Sequence, residues 1–129
     1  MRDEISCAIR AVMEQYSQLT AYGFFHPLRN ASFDDDRHQM FDTNFAFQVE
    51  TAMEFIQRRC RPTKTLNGFS YALKHVAEAF GSVNGLASYV PNGAIIVAAA
   101  ILGIRLKRIG LPPNCYLALK VREGNHGGE

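Results

Sequence analysis

Basic side chains at nine positions of the C-terminal half could contact phosphate groups. Four stand near residue 60 and five near the C-terminus: Arg58, Arg59, Arg61, Lys64, Arg105, Lys107, Arg108, Lys120 and Arg122. Because Lys and Arg neutralise phosphates and tyrosine rings stack on bases, this set together with Tyr116 is a candidate nucleic-acid-binding surface. The alternative interpretation is an ordinary charged strand face and a helix end that balances its own dipole.

The charge of the chain is unevenly distributed. The 129 residues have a formal net charge of only +2. Residues 1–54 hold nine acidic and four basic side chains, whereas residues 55–129 hold ten basic and three acidic ones, so the halves carry −5 and +7. Such asymmetry favours an anionic partner for the second half, although the two halves could also attract each other within the fold.

No pattern in the sequence predicts a metal site. The four histidines are scattered, and the run Asp34-Asp35-Asp36 lacks the glycine and glutamate that follow in a calcium loop. Cys60 has arginine neighbours that could activate its thiol, but it falls on the apolar stripe of a predicted helix, which favours a core role. We therefore expect no metal and no cofactor.

Sequence signatures of enzymes are also missing, including GxSxG, the P-loop, the dinucleotide fingerprint and HExxH. We expect no catalytic residue and a non-enzymatic protein. A deep pocket with convergent polar groups is the observation that would favour an enzyme instead. The order of elements over 70–122 has the outline of a winged helix, but residues 92–102 offer almost no polar side chain to a major groove. Any contact with nucleic acid should therefore be made through phosphates.

Four helices and a hairpin are predicted to position these residues. Apolar residues recur at helical spacing over 3–20, from Asp42 or Thr43 to Pro62, over 70–80 and over 92–102. The last of these segments is apolar on every side, which is typical of a central helix or of an oligomer interface. Residues 104–107 and 115–122 alternate polar and apolar side chains around a loop at 110–114, which predicts an antiparallel hairpin. On the third helix, Leu73, Val76, Ala77 and Phe80 should face inward, whereas Lys74, His75 and Glu78 should be exposed.

The segment between the first two helices is rich in aromatic residues. Six of the nine phenylalanines lie between Phe24 and Phe47, and residues 23–42 show no regular period. A segment of this length in a compact domain is either a functional loop or contains a short element that periodicity does not reveal. Its rings should pack on the core or on a partner.

One stretch of the C-terminal half resembles a known sequence pattern. It reads NGFSYALKH over residues 67–75, followed by Glu78, YVPNG over residues 89–93, and Ala98-Ala99 before Gly103. It resembles a pattern in small uncharacterised proteins encoded by bacteriophages, plasmids and other bacterial mobile elements. The resemblance covers about forty residues and carries no established activity, so it assigns no catalytic residue.

The resemblance implies a bacterial, cytoplasmic setting and an accessory role. It also draws attention to a possible polar surface that includes Tyr71, Lys74, His75 and Asn92, together with Ser70, Tyr89 and Gly93. The alternative is turn and cap chemistry, with Ser70 and Asn92 as helix N-caps and Gly93 in a tight turn.

Together these patterns predict one α+β domain over residues 1–123, with about four helices around an apolar central helix, a C-terminal antiparallel β-hairpin and a disordered tail at 124–129. The start of the chain lacks the apolar core of a signal peptide, and the apolar run 94–104 is too short to span a membrane. The three cysteines are odd in number and widely spaced, which favours a reducing compartment. We therefore expect a cytoplasmic protein that is not inserted in a membrane.

The functional hypothesis is a small, non-enzymatic binding or regulatory protein of a bacterial mobile element. It would contact nucleic acid through its basic C-terminal half. The alternative is a protein–protein adaptor or inhibitor that docks through the aromatic segment 24–47 or the apolar fourth helix. A homo-oligomer, most simply a dimer, would fit the same helix.

Overall fold

The computed structural model describes residues 2–26, 32–108 and 113–122, so the predicted tail at 124–129 lies outside the described residues. Five α-helices and one 3₁₀ turn are present: α1 Arg2–Gln15, α2 Phe33–His38, the turn Gln39–Phe41, α3 Thr43–Arg59, α4 Ser70–Val83 and α5 Asn92–Ile101. Seven short strands accompany them: β1 Leu19–Thr20, β2 Gly23–Phe24, β3 Cys60–Pro62, β4 Gly68–Phe69, β5 Leu106–Lys107, β6 Tyr116–Leu117 and β7 Leu119–Val121. This confirms the α+β class, with more helices than predicted.

The first helix ends five residues before the predicted boundary at residue 20. The guanidinium of Arg37 donates to Met13 O in the last turn of α1 at 2.7 Å and to Leu19 O in β1 at 2.8 Å. Since a side chain from α2 satisfies these groups, the helix can stop and the chain can turn into the β1–β2 hairpin. Gly23 supports that hairpin with a φ of 113°, which an L side chain rarely adopts.

The aperiodic segment contains short elements that its sequence pattern did not predict. Ser32 caps α2 by accepting a hydrogen bond from Asp35 N at 3.2 Å, and the acidic run occupies the favourable first turn of this helix. Phe24 and Phe45 are buried in the core. The interpretation as a loop is therefore wrong for the residues at 33–41, whereas 27–31 lie outside the described part of the chain.

The centre of the molecule is α5. Its residues Asn92–Ala99 are all buried, and the helix packs mainly against α3, with α1 and α4 beside it. On α3, Val49 and Ala52 are completely buried at this contact. Other elements of the same chain therefore bury this helix, which is apolar on every side.

The structure of α4 differs from the prediction in three positions. Leu73, Ala77 and Phe80 are buried as expected, but Val76 is 42% exposed and Lys74 only 8% exposed. The side chain of Glu78, which was predicted to be exposed, is only 19% exposed. Lys74 lies one turn after the buried Ser70, so helical spacing places it on the inward stripe and Val76 beside it. The prediction was wrong here because charge was taken as a sign of exposure.

The C-terminal strands split into two sheets. Strand β6 pairs with β5 in the predicted hairpin and with β4 on its other edge, whereas β7 pairs with β3. The division falls at Ala118, a bend between β6 and β7. Leu117, Ala118 and Leu119 are all buried, so the inward–outward alternation is interrupted at the bend. Among the described residues, no helix combines the length and apolar character that crossing a bilayer requires.

Candidate functional site

Two basic side chains stand directly opposite each other on the β3–β7 ladder. Arg61 and Lys120 are register partners in this antiparallel pair, and both are exposed. Paired residues project to the same face with Cβ atoms about 4.5–5.5 Å apart, where like charges destabilise the ladder by up to about 1 kcal/mol. The sequence predicted both as phosphate contacts, but their pairing across 59 positions of chain appears only in the structure.

The bend at Ala118 brings two further basic residues to this ladder. Its N–H donates to Arg105 O, and its carbonyl accepts from Thr63 N, both at 2.9 Å. The guanidinium of Arg105 then reaches Lys64 O at 2.6 Å. Backbone bonds thus hold three distant segments of the chain together.

Arg122 lies next to the ladder, since its N–H donates to Arg59 O at 2.7 Å, but its side chain lines a separate groove with Phe80 and Val83. We call the other four exposed residues the basic face: Arg61, Lys64, Arg105 and Lys120. Within the described ranges, no carboxylate forms an ion pair with any of them. Their positive charges therefore add without local compensation.

The other predicted phosphate contacts lie elsewhere. Arg58 pairs with Glu54 at 3.7 Å along α3. The guanidinium carbons of Arg58 and Arg59 lie 5.3 and 5.7 Å from the Phe80 ring centroid, and that of Arg108 lies 4.2 Å from Phe24. These three arginines thus make contacts within the fold, whereas Lys107 remains exposed on β5.

Lys107 belongs to a row of side chains that crosses the second sheet. Phe69 and Lys107 both pair with Tyr116, from opposite sides, so the three residues share one face. The rings of Phe69 and Tyr116 lie 5.5 Å apart, and Phe69 is 39% exposed. We call this the aromatic row. Tyr116 itself is half-buried in this row.

Four of the seven residues of the predicted polar surface line a cavity of about 430 Å³, which we call the tyrosine pocket. Its wall includes Tyr22, Tyr71, Lys74, Tyr89, Asn92 and Asn114. His75 lies beside it, with Nδ1 at 3.2 Å from a carboxylate oxygen of Glu78. Sequence reasoning missed Tyr22 and Asn114. They come from the β1–β2 turn and from the segment before β6, so no local spacing connects them to Tyr71.

A nearly buried ion pair forms the floor of the tyrosine pocket. Lys74 Nζ donates to Glu78 Oε2 at 3.0 Å, and the same oxygen accepts from Val90 N at 3.0 Å. Burial acts to raise the pKa of Glu78, but the bonds from Val90, Lys74 and His75 outweigh it and leave the pKa below its ordinary value. Burial, reinforced by the neighbouring Tyr22 and Glu78, raises the pKa of the Tyr89 phenol.

Asn92 has a role other than the predicted helix cap. The N-cap position of α5 is Pro91, and the Asn92 amide instead donates to Pro113 O at 3.2 Å and to Asn114 Oδ1 at 2.9 Å. Its own Oδ1 is buried without a hydrogen-bond partner in the described structure. An unpaired buried acceptor costs about 1–3 kcal/mol, which makes this amide unusual.

Ser70 and Gly93 also differ from their predicted roles in cap and turn. Phe69 holds the N-cap position of α4, and the Ser70 hydroxyl accepts from Cys115 N at 3.1 Å. At Gly93, a Cβ atom would stand 2.1 Å from Thr20 O. The glycine is therefore needed for the close approach of α5 to the β1–β2 hairpin, which holds Tyr22 at the pocket.

The two buried cysteines, Cys60 and Cys115, do not contribute reactive groups to these surfaces. Burial raises the pKa of the thiols of Cys60 and Cys115 to about 12, against smaller lowering effects of Arg122 on Cys60 and of Ser70 and Arg108 on Cys115. The core role predicted for Cys60 is confirmed. In the described part of the chain, no group of three or more His, Cys, Asp and Glu side chains is placed to hold a metal ion.

The surfaces proposed for protein docking are largely covered. The buried residues Asn92–Ala99 leave α5 no exposed face for a partner or a second copy. In the aromatic segment, Phe24 and Phe45 lie in the core, and Phe33 packs edge-on against Phe25 at 5.0 Å. Phe41, at 51%, is its most exposed large apolar residue within the described ranges. Docking through this segment stays a prediction, and it is restricted to the exposed surface around Phe41.

Comparison of the chain with protein-family models, with curated proteins and with solved structures finds no match in any of the three.

Proposed function

We propose that this chain binds single-stranded nucleic acid through the basic face, with the aromatic row as a stacking platform. The observation that carries the proposal is the directly opposed pair Arg61 and Lys120, which no carboxylate of the described residues balances. A polyanion that lies along the ladder would relieve this repulsion, because each cation would then contact a phosphate.

A single strand fits better than a duplex. Base-specific reading of a duplex needs an element that enters a groove, and α5 is buried. Bases of a single strand can instead stack on exposed rings, each for about 1–3 kcal/mol. Phe69 offers such a ring, and the half-buried Tyr116 lies between it and Lys107.

Binding of this kind is independent of sequence and requires no catalytic group. It agrees with an accessory or regulatory role in a bacterial mobile element, as the resemblance of residues 67–103 implies. Proteins of this class coat or sequester single strands, and their affinity is set by charge and stacking. The accessory or regulatory role in the cell is therefore proposed together with single-strand binding.

The test is fluorescence anisotropy with a labelled single-stranded oligonucleotide and the matching duplex. Each phosphate contact contributes about 0.7 log unit at 0.1 M salt, so Arg61→Ala with Lys120→Ala should weaken binding roughly 25-fold. Arg10→Ala with Arg58→Ala removes the same charge outside the basic face and should change affinity less than about threefold. Phe69→Ala should weaken single-strand binding only. Equal losses in the two double variants would refute a localised site.

A further inference from the structure

The tyrosine pocket holds a cation with unused hydrogen-bonding capacity. Lys74 is 8% exposed, and its Nζ lies 5.7 and 5.3 Å from the ring centroids of Tyr71 and Tyr89. An ammonium group has three donors, and across the described residues Glu78 is the only acceptor bonded to Nζ. Two N–H groups therefore remain available beside the cavity.

The charges around the cavity favour an anionic ligand. A cationic ligand would be repelled by Lys74, which already occupies the place over the faces of Tyr71 and Tyr89. The carboxylate of Glu78 accepts bonds from Lys74, Val90 and His75, so its charge is engaged within the protein. The N-terminal end of α5 at the wall adds positive potential.

The walls favour a ligand with a flat ring. Tyr22, Tyr71 and Tyr89 are 37%, 50% and 49% exposed, and all three converge on this cavity. Aromatic rings bind other rings by stacking or edge contact. The volume of about 430 Å³ lies in the lower part of the range for small-molecule sites, roughly 300–1,000 Å³.

A second observation marks the same wall. Asn92 is 6% exposed, and its Oδ1 lacks a donor in the described structure. Reversing the amide would not help, because Pro113 O and Asn114 Oδ1 both accept from its nitrogen. Unsatisfied buried acceptors are rare in folded proteins, and this one can be completed only by a hydrogen-bond donor, such as water or a ligand N–H or O–H group.

We propose that the tyrosine pocket binds a small planar molecule that carries one anionic group, a carboxylate or a phosphate. Lys74 would contact the anion, and the rings of Tyr22, Tyr71 and Tyr89 would contact the flat part. This site uses none of the basic face, so it does not depend on the proposed nucleic-acid binding. Its role is recognition of a small molecule.

Tyrosine fluorescence is a direct assay for this binding. The chain has no tryptophan, and three of its five tyrosines line the cavity. Two probes distinguish the source of the anion: adenosine 5′-monophosphate for phosphate and benzoate for carboxylate. At least one should give a saturable change below about 10 mM, and the neutral analogue, adenosine or benzamide, should bind at least about tenfold more weakly. No saturation with either probe, or equal binding of the neutral analogue, would overturn the proposal.

Asn114→Asp tests anion binding in the tyrosine pocket most directly. The carboxylate keeps an oxygen to accept from Asn92 but brings a negative charge to the wall, so probe affinity should fall at least about tenfold. Lys74→Met with Glu78→Gln removes both charges together and should abolish the preference for the anionic probe. Arg61→Ala with Lys120→Ala should leave probe binding unchanged, which separates this site from the basic face. Unchanged affinity in folded Asn114→Asp would overturn the assignment.

Discussion

Replacing Glu78 by glutamine tests the ion pair beneath the tyrosine pocket. The carboxylate accepts from Lys74 Nζ and Val90 N at 3.0 Å and from His75 at 3.2 Å. The side chains of Lys74 and Glu78 are only 10% and 19% exposed, so solvent screens this pair weakly. Glu78→Gln has nearly the same shape and keeps one acceptor oxygen, but it leaves the ammonium of Lys74 unbalanced.

The expected loss follows from these contacts. A hydrogen bond to a charged group contributes about 1.5–3 kcal/mol, and the amide retains part of one such bond. We expect Glu78→Gln to lower the free energy of unfolding by about 2 kcal/mol at pH 7. For a chain of this length that corresponds to a decrease of about 6–10 °C in Tm. His75→Ala removes only an exposed partner and should cost less than about 0.5 kcal/mol.

The loss should depend on pH. The pKa of Glu78 is below its ordinary value of 4.5, so ionisation of this carboxyl stabilises the folded state above that pH. This contribution disappears as the pH falls through the lowered pKa and the wild-type carboxyl becomes protonated. The difference in the free energy of unfolding between Glu78→Gln and wild type should therefore be largest at neutral pH. It should decrease as the pH falls below 4.5.

Urea denaturation followed by circular dichroism at several pH values measures this difference. The double variant Lys74→Met with Glu78→Gln should be more stable than the sum of the single losses indicates, by at least about 1 kcal/mol. Equal stability of Glu78→Gln and wild type at pH 7 would refute the reasoning. A loss that stayed constant down to pH 3 would refute it as well.

Two further predictions concern the contacts that position α5 and the loop between α4 and α5. Thr51 Oγ1 accepts a hydrogen bond from Ala87 N at 3.0 Å. In urea denaturation, Thr51→Val should lower the free energy of unfolding by about 2 kcal/mol and Thr51→Ser by about 1 kcal/mol. Equal losses in the two variants would contradict this role of the hydroxyl group. Gly93→Ala should lower the free energy of unfolding by about 3 kcal/mol, because the added Cβ would overlap with Thr20 O. Gly85→Ala has open space around the Cβ but a φ of 71°, and should cost about 1 kcal/mol. The reverse order would contradict the close approach of α5 to the β1–β2 hairpin.

Regular periodicity predicted the parts of the fold in which one face is apolar. The helix that contains Val49 and Ala52, the central helix of residues 92–101 and the inward positions Leu117 and Leu119 follow directly from spacing. Cys60 was placed in the core by the same argument. Such patterns are reliable because burial of a continuous apolar face dominates local preferences.

The sequence could not predict features that depend on distant partners. Lys74 is buried because its ammonium group contacts Glu78 and the rings of Tyr71 and Tyr89, and charge alone indicated the opposite. The bend at Ala118 depends on hydrogen bonds to Arg105 and Thr63. The basic residues were recognised as a set, but which of them share a face is decided by strand pairing.

The salt dependence of single-strand binding tests the central claim most directly. Four cations on the basic face, none of them paired with a carboxylate of the described residues, predict a slope of about −2.8 for the logarithm of the association constant against the logarithm of salt concentration. Arg61→Ala with Lys120→Ala should reduce the slope to about −1.4, since two of the four contacts are lost. A slope near zero, or one that this double variant leaves unchanged, would contradict nucleic-acid binding through the basic face.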